Sequence, residues 1–235
     1  MRGDGETPNI LWVGGREVPL AVRVHPRARN IALVVDGTIG GIRLTLPPGV
    51  PVTKGLRFAA RHEAWLETQL EKLPPRVPFT AGAEIPLLGV SHEIRHAPGL
   101  RRGVWRDEGK LFVSGQPEHL SRRVTDFLKR EARSTVSSRA RSQAERIDRQ
   151  PGRITVRDMK SRWGSCSSDG RLRFNWRLIL APEMVLDYVV AHEVAHLVHM
   201  DHSRRFWRIV ETLYPQASLA RRWLAKNGET LMRYG

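Results

Sequence analysis

The residues best suited to chemistry sit together in Val189-Val190-Ala191-His192-Glu193-Val194-Ala195-His196-Leu197. A helix at 3.6 residues per turn stacks His192 and His196 on one face, about 6 Å apart, so both imidazoles reach a single cation. Glu193, one position after the first histidine, lands beside the remaining coordination position without filling it. From there its carboxylate takes a proton from a zinc-held water, whose pKa falls to about 7. The surrounding Val185, Leu186, Val189, Val190, Val194 and Leu197 are apolar. Burying two histidines and a glutamate among them without partners would cost several kcal/mol, and a metal ion removes that cost.

A catalytic zinc site takes three protein ligands, and His199, Asp201, His202 and Glu211 compete for the third place. On a continuous helix His199 stands about 10 Å along the axis from His192, too far for the three rings to share one ion. If the helix ends near Val198 and the chain reverses, His202 folds back under the metal while Ser203 or Asp201 caps the next helix. His202 is the expected ligand and Glu211 the alternative, with Asp201 as a group that orients a ligand. The turn would fall at His199, a residue type that tolerates left-handed dihedrals somewhat better than most.

The runs Arg162-Trp163-Gly164-Ser165-Cys166-Ser167-Ser168, Asn175-Trp176-Arg177-Leu178, Tyr188 to His196, and Asp201-His202-Ser203-Arg204-Arg205-Phe206-Trp207 follow one another in the chain. Together they resemble the YgjP-like family of metal-dependent hydrolases. The resemblance implies a minimal zincin catalytic region related to SprT-type proteases, with His192, His196 and His202 as zinc ligands and Glu193 as general base. It implies two substrate classes, because the family is metallopeptidase-like by fold while nucleoside triphosphate pyrophosphohydrolase activity is also attributed to it. Around the motif, Arg162 is a candidate for steadying an oxyanion or a phosphate, and Cys166 reads as a packed thiol. Trp163 and Trp176 read as core, and Phe206 and Trp207 as packing that holds His202. His62, His92, His96 and His119 have no ligand spacing and read as exposed.

These groups need elements to hold them, and the pattern predicts an α+β fold in two parts, residues 1–115 and 116–235. In the first, Val18 to His25, Ile31 to Val35 and Ile42 to Leu46 read as an antiparallel meander. One amphipathic helix is expected from Thr53 to Leu73, then strands at Glu84 to Leu88 and His92 to His96, and a hairpin from Val104 to Val113 turning at Asp107-Glu108-Gly109. In the second, Pro117 opens a long helix whose buried stripe is Leu120, Val124, Leu128, Ala132, Val136, Ala140 and Ala144. Strands follow at Ile154 to Met159 and Leu172 to Leu180, linked through Trp163 to Gly170. Helices are expected from Glu183 to Val198, from near Ser203, and from Ala217 to Lys226, the last closed by Asn227-Gly228. No internal repeat is visible.

Composition bounds the remainder. With 235 residues, 40% apolar and 27% charged, the chain is a globular protein rather than a disordered tail. No run approaches 18 apolar residues, so no membrane partner is expected. An N-terminus without an apolar run and the lone Cys166 favour a cytoplasmic location. The net charge of +15 is concentrated between Ser121 and Arg177, where 16 basic minus 6 acidic residues give +10. Any anion-facing surface should lie there. The expected activity is hydrolysis of a peptide or protein by a zinc enzyme. The alternatives are nucleotide pyrophosphohydrolysis and a protease module associated with DNA; oligomeric state is left open.

Overall fold

The computed structural model describes residues 10–37, 39–72, 76–159 and 162–235, and the chain divides into two compact units, Met1–Arg76 and Val77–Gly235. The fold is α+β, as the sequence predicts. The expected boundary at residue 115 falls inside the second unit. The physical reason is a shared core: Ile85, Ile94, Leu111 and Val113 from the strands before it pack in one cluster with Leu120, Val124 and Leu128 after it. No described helix is long and apolar enough to cross a membrane.

The first unit holds β1 (Ile10–Val13), β2 (Arg16–Val24), β3 (Ala32–Asp36) and β4 (Gly41–Leu46) in the order β1-β2-β4-β3. This is not a meander, since β2 and β4 pair in parallel and β3 lies at the edge. The expected single helix is two, α1 (Val52–Arg61) and α2 (Glu63–Glu71), broken at His62 with φ −110° and ψ 20°. The expected end at Leu73 lies outside the described residues. The break turns α2 so that Leu66 enters the core beside Val18, Leu20, Ile42 and Leu44, and Glu63 accepts from the Gly14 amide at 3.1 Å.

The second unit opens with β5 (Glu84–Leu87), β6 (Val90–His96), β7 (Val104–Asp107) and β8 (Lys110–Val113), ordered β5-β6-β8-β7. This order repeats that of the first sheet, with β6 and β8 parallel. Glu108 and Gly109, both at positive φ, close the predicted hairpin. His92 is buried and His96 half-buried, against the exposed reading. They share a strand face with core Ile94, and their ring nitrogens bond the carbonyls of Val90 and Gly115.

A 26-residue helix, α3 (Leu120–Glu145), crosses the unit and buries the expected stripe. It packs against α4 (Glu183–Ala195), which carries the His192-Glu193 pair. Arg139 of α3 pairs with both Asp187 and Glu183 of α4. Arg146 donates to the carbonyls of Leu213 and Thr212, at 2.8 and 3.0 Å, at the end of α5 (Arg204–Leu213). These arginines clamp helices rather than face a polyanion.

A three-stranded sheet completes the scaffold: β9 (Ile154–Arg157), β10 (Gly164–Cys166) and β11 (Leu172–Asn175), in the order β10-β11-β9. The segment expected as a mere link therefore contains a strand. Conversely, the strand expected to reach Leu180 stops at Asn175, whose side chain accepts from the Arg177 amide at 3.1 Å and starts a 3-10 turn over Trp176–Leu180. Arg177 is itself buried, with its guanidinium bonded to Asp158 at 2.6 Å and to the Tyr234 carbonyl at 3.0 Å. The last helix, α6 (Ala217–Leu231), runs through Asn227-Gly228 instead of ending there. Gly228 provides close packing: a Cβ there would stand 3.4 Å from the Trp163 indole.

Candidate metal centre

Helix α4 ends at Ala195 with His196 still in right-handed helical conformation as its C-cap, and His199 does not adopt positive φ, so the expected left-handed turn is absent. The reversal is instead closed by side chains. His196 is held through Nδ1 by the His199 carbonyl at 2.9 Å, while Asp201 accepts from the Ser203 amide at 3.2 Å. Ser203 then caps α5 by accepting from the Phe206 amide at 3.4 Å. His202, one residue before that cap, is carried back beside α4.

The outcome is a cluster in which one nitrogen from each of His192, His196 and His202 lies within 4.8 Å of the others. The Nε2 atoms of His192 and His202 face each other at 3.2 Å. Two nitrogens bound tetrahedrally to one zinc at about 2.05 Å would stand about 3.3 Å apart. The donor set fits such an ion. With Nδ1 of His196 bonded to a carbonyl, its Nε2 is free for a cation. Nδ1 of His192 is buried without a protein partner, so Nε2 is that ring's one polar outlet. Burial, then the charges of His196, His202 and Arg221, push His192 down to about 4 and keep it neutral. Burial also lowers His196, against its bond to His199.

His199, Asp201 and Glu211 stand outside this cluster. Glu211 is on the exposed side of α5, and Asp201 is engaged with Ser203. The rings are fixed by Phe206, fully buried, which stacks on His196 at 4.5 Å between centroids and meets His192 and His202 edge-on at 4.9 and 4.8 Å. Trp207 covers the outer side, 5.8 Å from His192 and 6.1 Å from His202.

Glu193 is buried, 5% exposed, and burial pushes its carboxyl up to about 7 against the lowering effect of nearby Arg162. Sequence reasoning missed its closest constraint. A Cβ on Gly164 would stand 2.5 Å from Glu193 Cγ and Oε1, so β10 must present glycine for the carboxylate to lie where it does. The available signal was a glycine inside a short strand, which marks close approach. Arg162 is exposed, as its loop position suggested. Cys166 is a half-buried free thiol raised to about 11 by burial, then by Glu193 and Asp169, which fits the packed reading. Trp176 is core and Trp163 packs against it from a half-buried position. Arg221, which the sequence did not single out, lies over the Trp207 ring at 5.1 Å.

Three converging imidazoles, one of them next in sequence to a buried carboxylate on α4, are the equipment of a metal-dependent hydrolase. A model of the YgjP-like family, described as a metallopeptidase domain, matches residues 29–227, and the chain belongs to that family. The enzyme is accordingly a metal-dependent hydrolase of metallopeptidase type, and its family implies a divalent ion. Among solved structures the chain is similar to the metallopeptidase zymogen of Pyrococcus abyssi abylysin. The identity is 24%, over 39% of this chain and 93% of that one, with a TM-score of 0.36. No curated protein matches.

Proposed function

We propose that the chain is a zinc peptidase in which His192, His196 and His202 hold the ion and Glu193 is the general base. The observation that supports it most directly is the convergence of those three nitrogens, with the buried Glu193 following His192 on α4. When bound, zinc supplies Lewis acidity and a water made acidic near neutral pH. Glu193 takes the proton of the attacking water and delivers it to the leaving amine nitrogen as the peptide bond breaks. Gly164 keeps the carboxylate seated against β10. Arg162 offers a cationic donor to the oxygen that gains charge. β10 pairs only with β11 among the described residues, so its other edge can receive an extended peptide by strand addition. The lone Cys166 supports a reducing, cytoplasmic setting.

The nucleotide reading draws less support. Arg153, Arg157, Arg171 and Arg173 lie across the sheet from Gly164 and Glu193, and so do not cradle a triphosphate at that carboxylate. The deciding experiment is a zinc-supplemented screen of peptides against nucleoside triphosphates. Glu193→Gln should reduce peptide turnover about 10² to 10⁴-fold with full metal content by elemental analysis. His202→Ala should lose the metal and Glu211→Gln should keep it; the reverse pattern transfers the third ligand to Glu211.

A further inference from the structure

The outer face of the β9–β11 sheet has no part in this mechanism, yet it carries a row of arginines. Residues paired across a sheet share a face, and Gly164 pairs with Phe174 on the side of Glu193. Thr155 and Arg173, paired in register, therefore project the other way. With Arg153, Arg157 and Arg171 they line one groove of about 340 Å³. Arg171 is paired with Asp169 at 2.8 Å, but Arg153, Arg157 and Arg173 have no carboxylate partner among the described residues. Like charges gathered this closely repel one another unless an anion joins them.

The chemistry of the wall narrows that anion. Four guanidiniums and a hydroxyl line it without an aromatic ring, and the Asp169 carboxylate is bonded to one of the four, Arg171. Side chains on one face of β9 recur every two residues, about 6.7 Å apart, and the neighbouring row lies about 4.8 Å away. Guanidinium forks bind phosphate in bidentate fashion, so such rows suit a chain of phosphates. The lining holds no aromatic platform for a base to stack on, and its evenly spaced guanidiniums match the repeat of backbone phosphates. We infer that this face docks the sugar-phosphate backbone of nucleic acid without reading its sequence. Catalysis and docking occupy opposite faces of one sheet, so either can fail without the other.

The test is anisotropy of a labelled 20-base-pair DNA duplex, with a single strand of equal length as a second probe, titrated with the full chain across salt concentration. Four neutralised phosphates give a log-log slope of about −3.6, which is about a 150-fold loss of affinity between roughly 50 and 200 mM salt. The variant Arg153→Gln/Arg157→Gln/Arg173→Gln should flatten the slope by about 2.7. The equal charge removal Arg23→Gln/Arg27→Gln/Arg29→Gln, in the other unit, should leave it unchanged. Absence of binding, an unchanged slope in the sheet variant, equal flattening in the control, or displacement by polyglutamate at equal charge overturns the inference. Should the triple variant fold poorly, the wild-type chain decides: bound DNA must shield Arg153, Arg157 and Arg173 from phenylglyoxal, and lack of shielding overturns it.

Discussion

Glu193 is held from two directions, by burial in α4 and by the missing side chain at Gly164. Gly164→Ala places a methyl 2.5 Å from the carboxylate, closer than packed atoms tolerate, so Glu193 must move. A misplacement near 1 Å costs turnover about 10²-fold. The expected result is that loss with zinc content unchanged, since the atoms nearest the new methyl all belong to Glu193; loss of metal in the variant would show that β10 supports the ligands instead. Cys166 gives a second test at this scale. With its pKa pushed from 9.0 to about 11, chiefly by burial, the thiolate fraction at pH 8 is about 100-fold below that of an unperturbed thiol. Alkylation by iodoacetamide should therefore be slow at pH 8 and still rising above pH 10. Glu193→Gln, which removes the second contribution, should accelerate it. A rate that levels off near pH 9 contradicts the placement.

At the scale of elements, the place of His202, the proposed third ligand, depends on where α5 begins. Ser203 caps that helix, and His202 precedes the cap by one residue. Ser203→Ala removes the acceptor of the Phe206 amide and should cost about 1 kcal/mol of stability. It should also weaken zinc affinity in a chelator competition, because His202 loses its fixed position. Ser203→Asp restores a capping oxygen and should recover both properties; if only stability returns, His202 is not positioned by the cap. The clamp from α3 works on the same helices, with Arg139 on α4 and Arg146 on the end of α5. Both belong to the strongly basic stretch, and their partners take these two of its charges into helix contacts.

Across the whole molecule, two separate cores imply two responses to metal. All three histidines and Glu193 lie in the unit Val77–Gly235, whereas the core of Val18, Leu20, Ile42 and Leu66 belongs to the other. An ion at 100 times its dissociation constant stabilises the state that binds it by about 2.7 kcal/mol. Chelation should therefore speed hydrogen exchange in α4, α5 and the strands packed on them, and leave β1 to β4 unchanged. Equal acceleration in both units would mean that they unfold as one. The repeated strand order, β1-β2-β4-β3 and β5-β6-β8-β7, serves two cores that share no buried residue.

The helix that carries His192 and Glu193 was legible because its signal is local: a four-residue histidine spacing, an adjacent glutamate and an apolar surround all follow from one helical period. The α3 stripe and the hairpin at Glu108-Gly109 were readable for the same reason, each being a periodicity or a turn preference within a few residues. What only tertiary structure decided depends on partners distant in sequence. Parallel pairing of β2 with β4 replaced the expected meander, the core shared by β5–β8 and α3 moved the division to Arg76, and Gly228 served the Trp163 ring rather than a helix end. The clearest case is charge. Composition reports how many arginines a segment has, but pairing decides which remain available: Arg139, Arg146 and Arg177 are consumed inside the fold, while the pleat of β9 and β11 lines up Arg153, Arg157 and Arg173 on an open face.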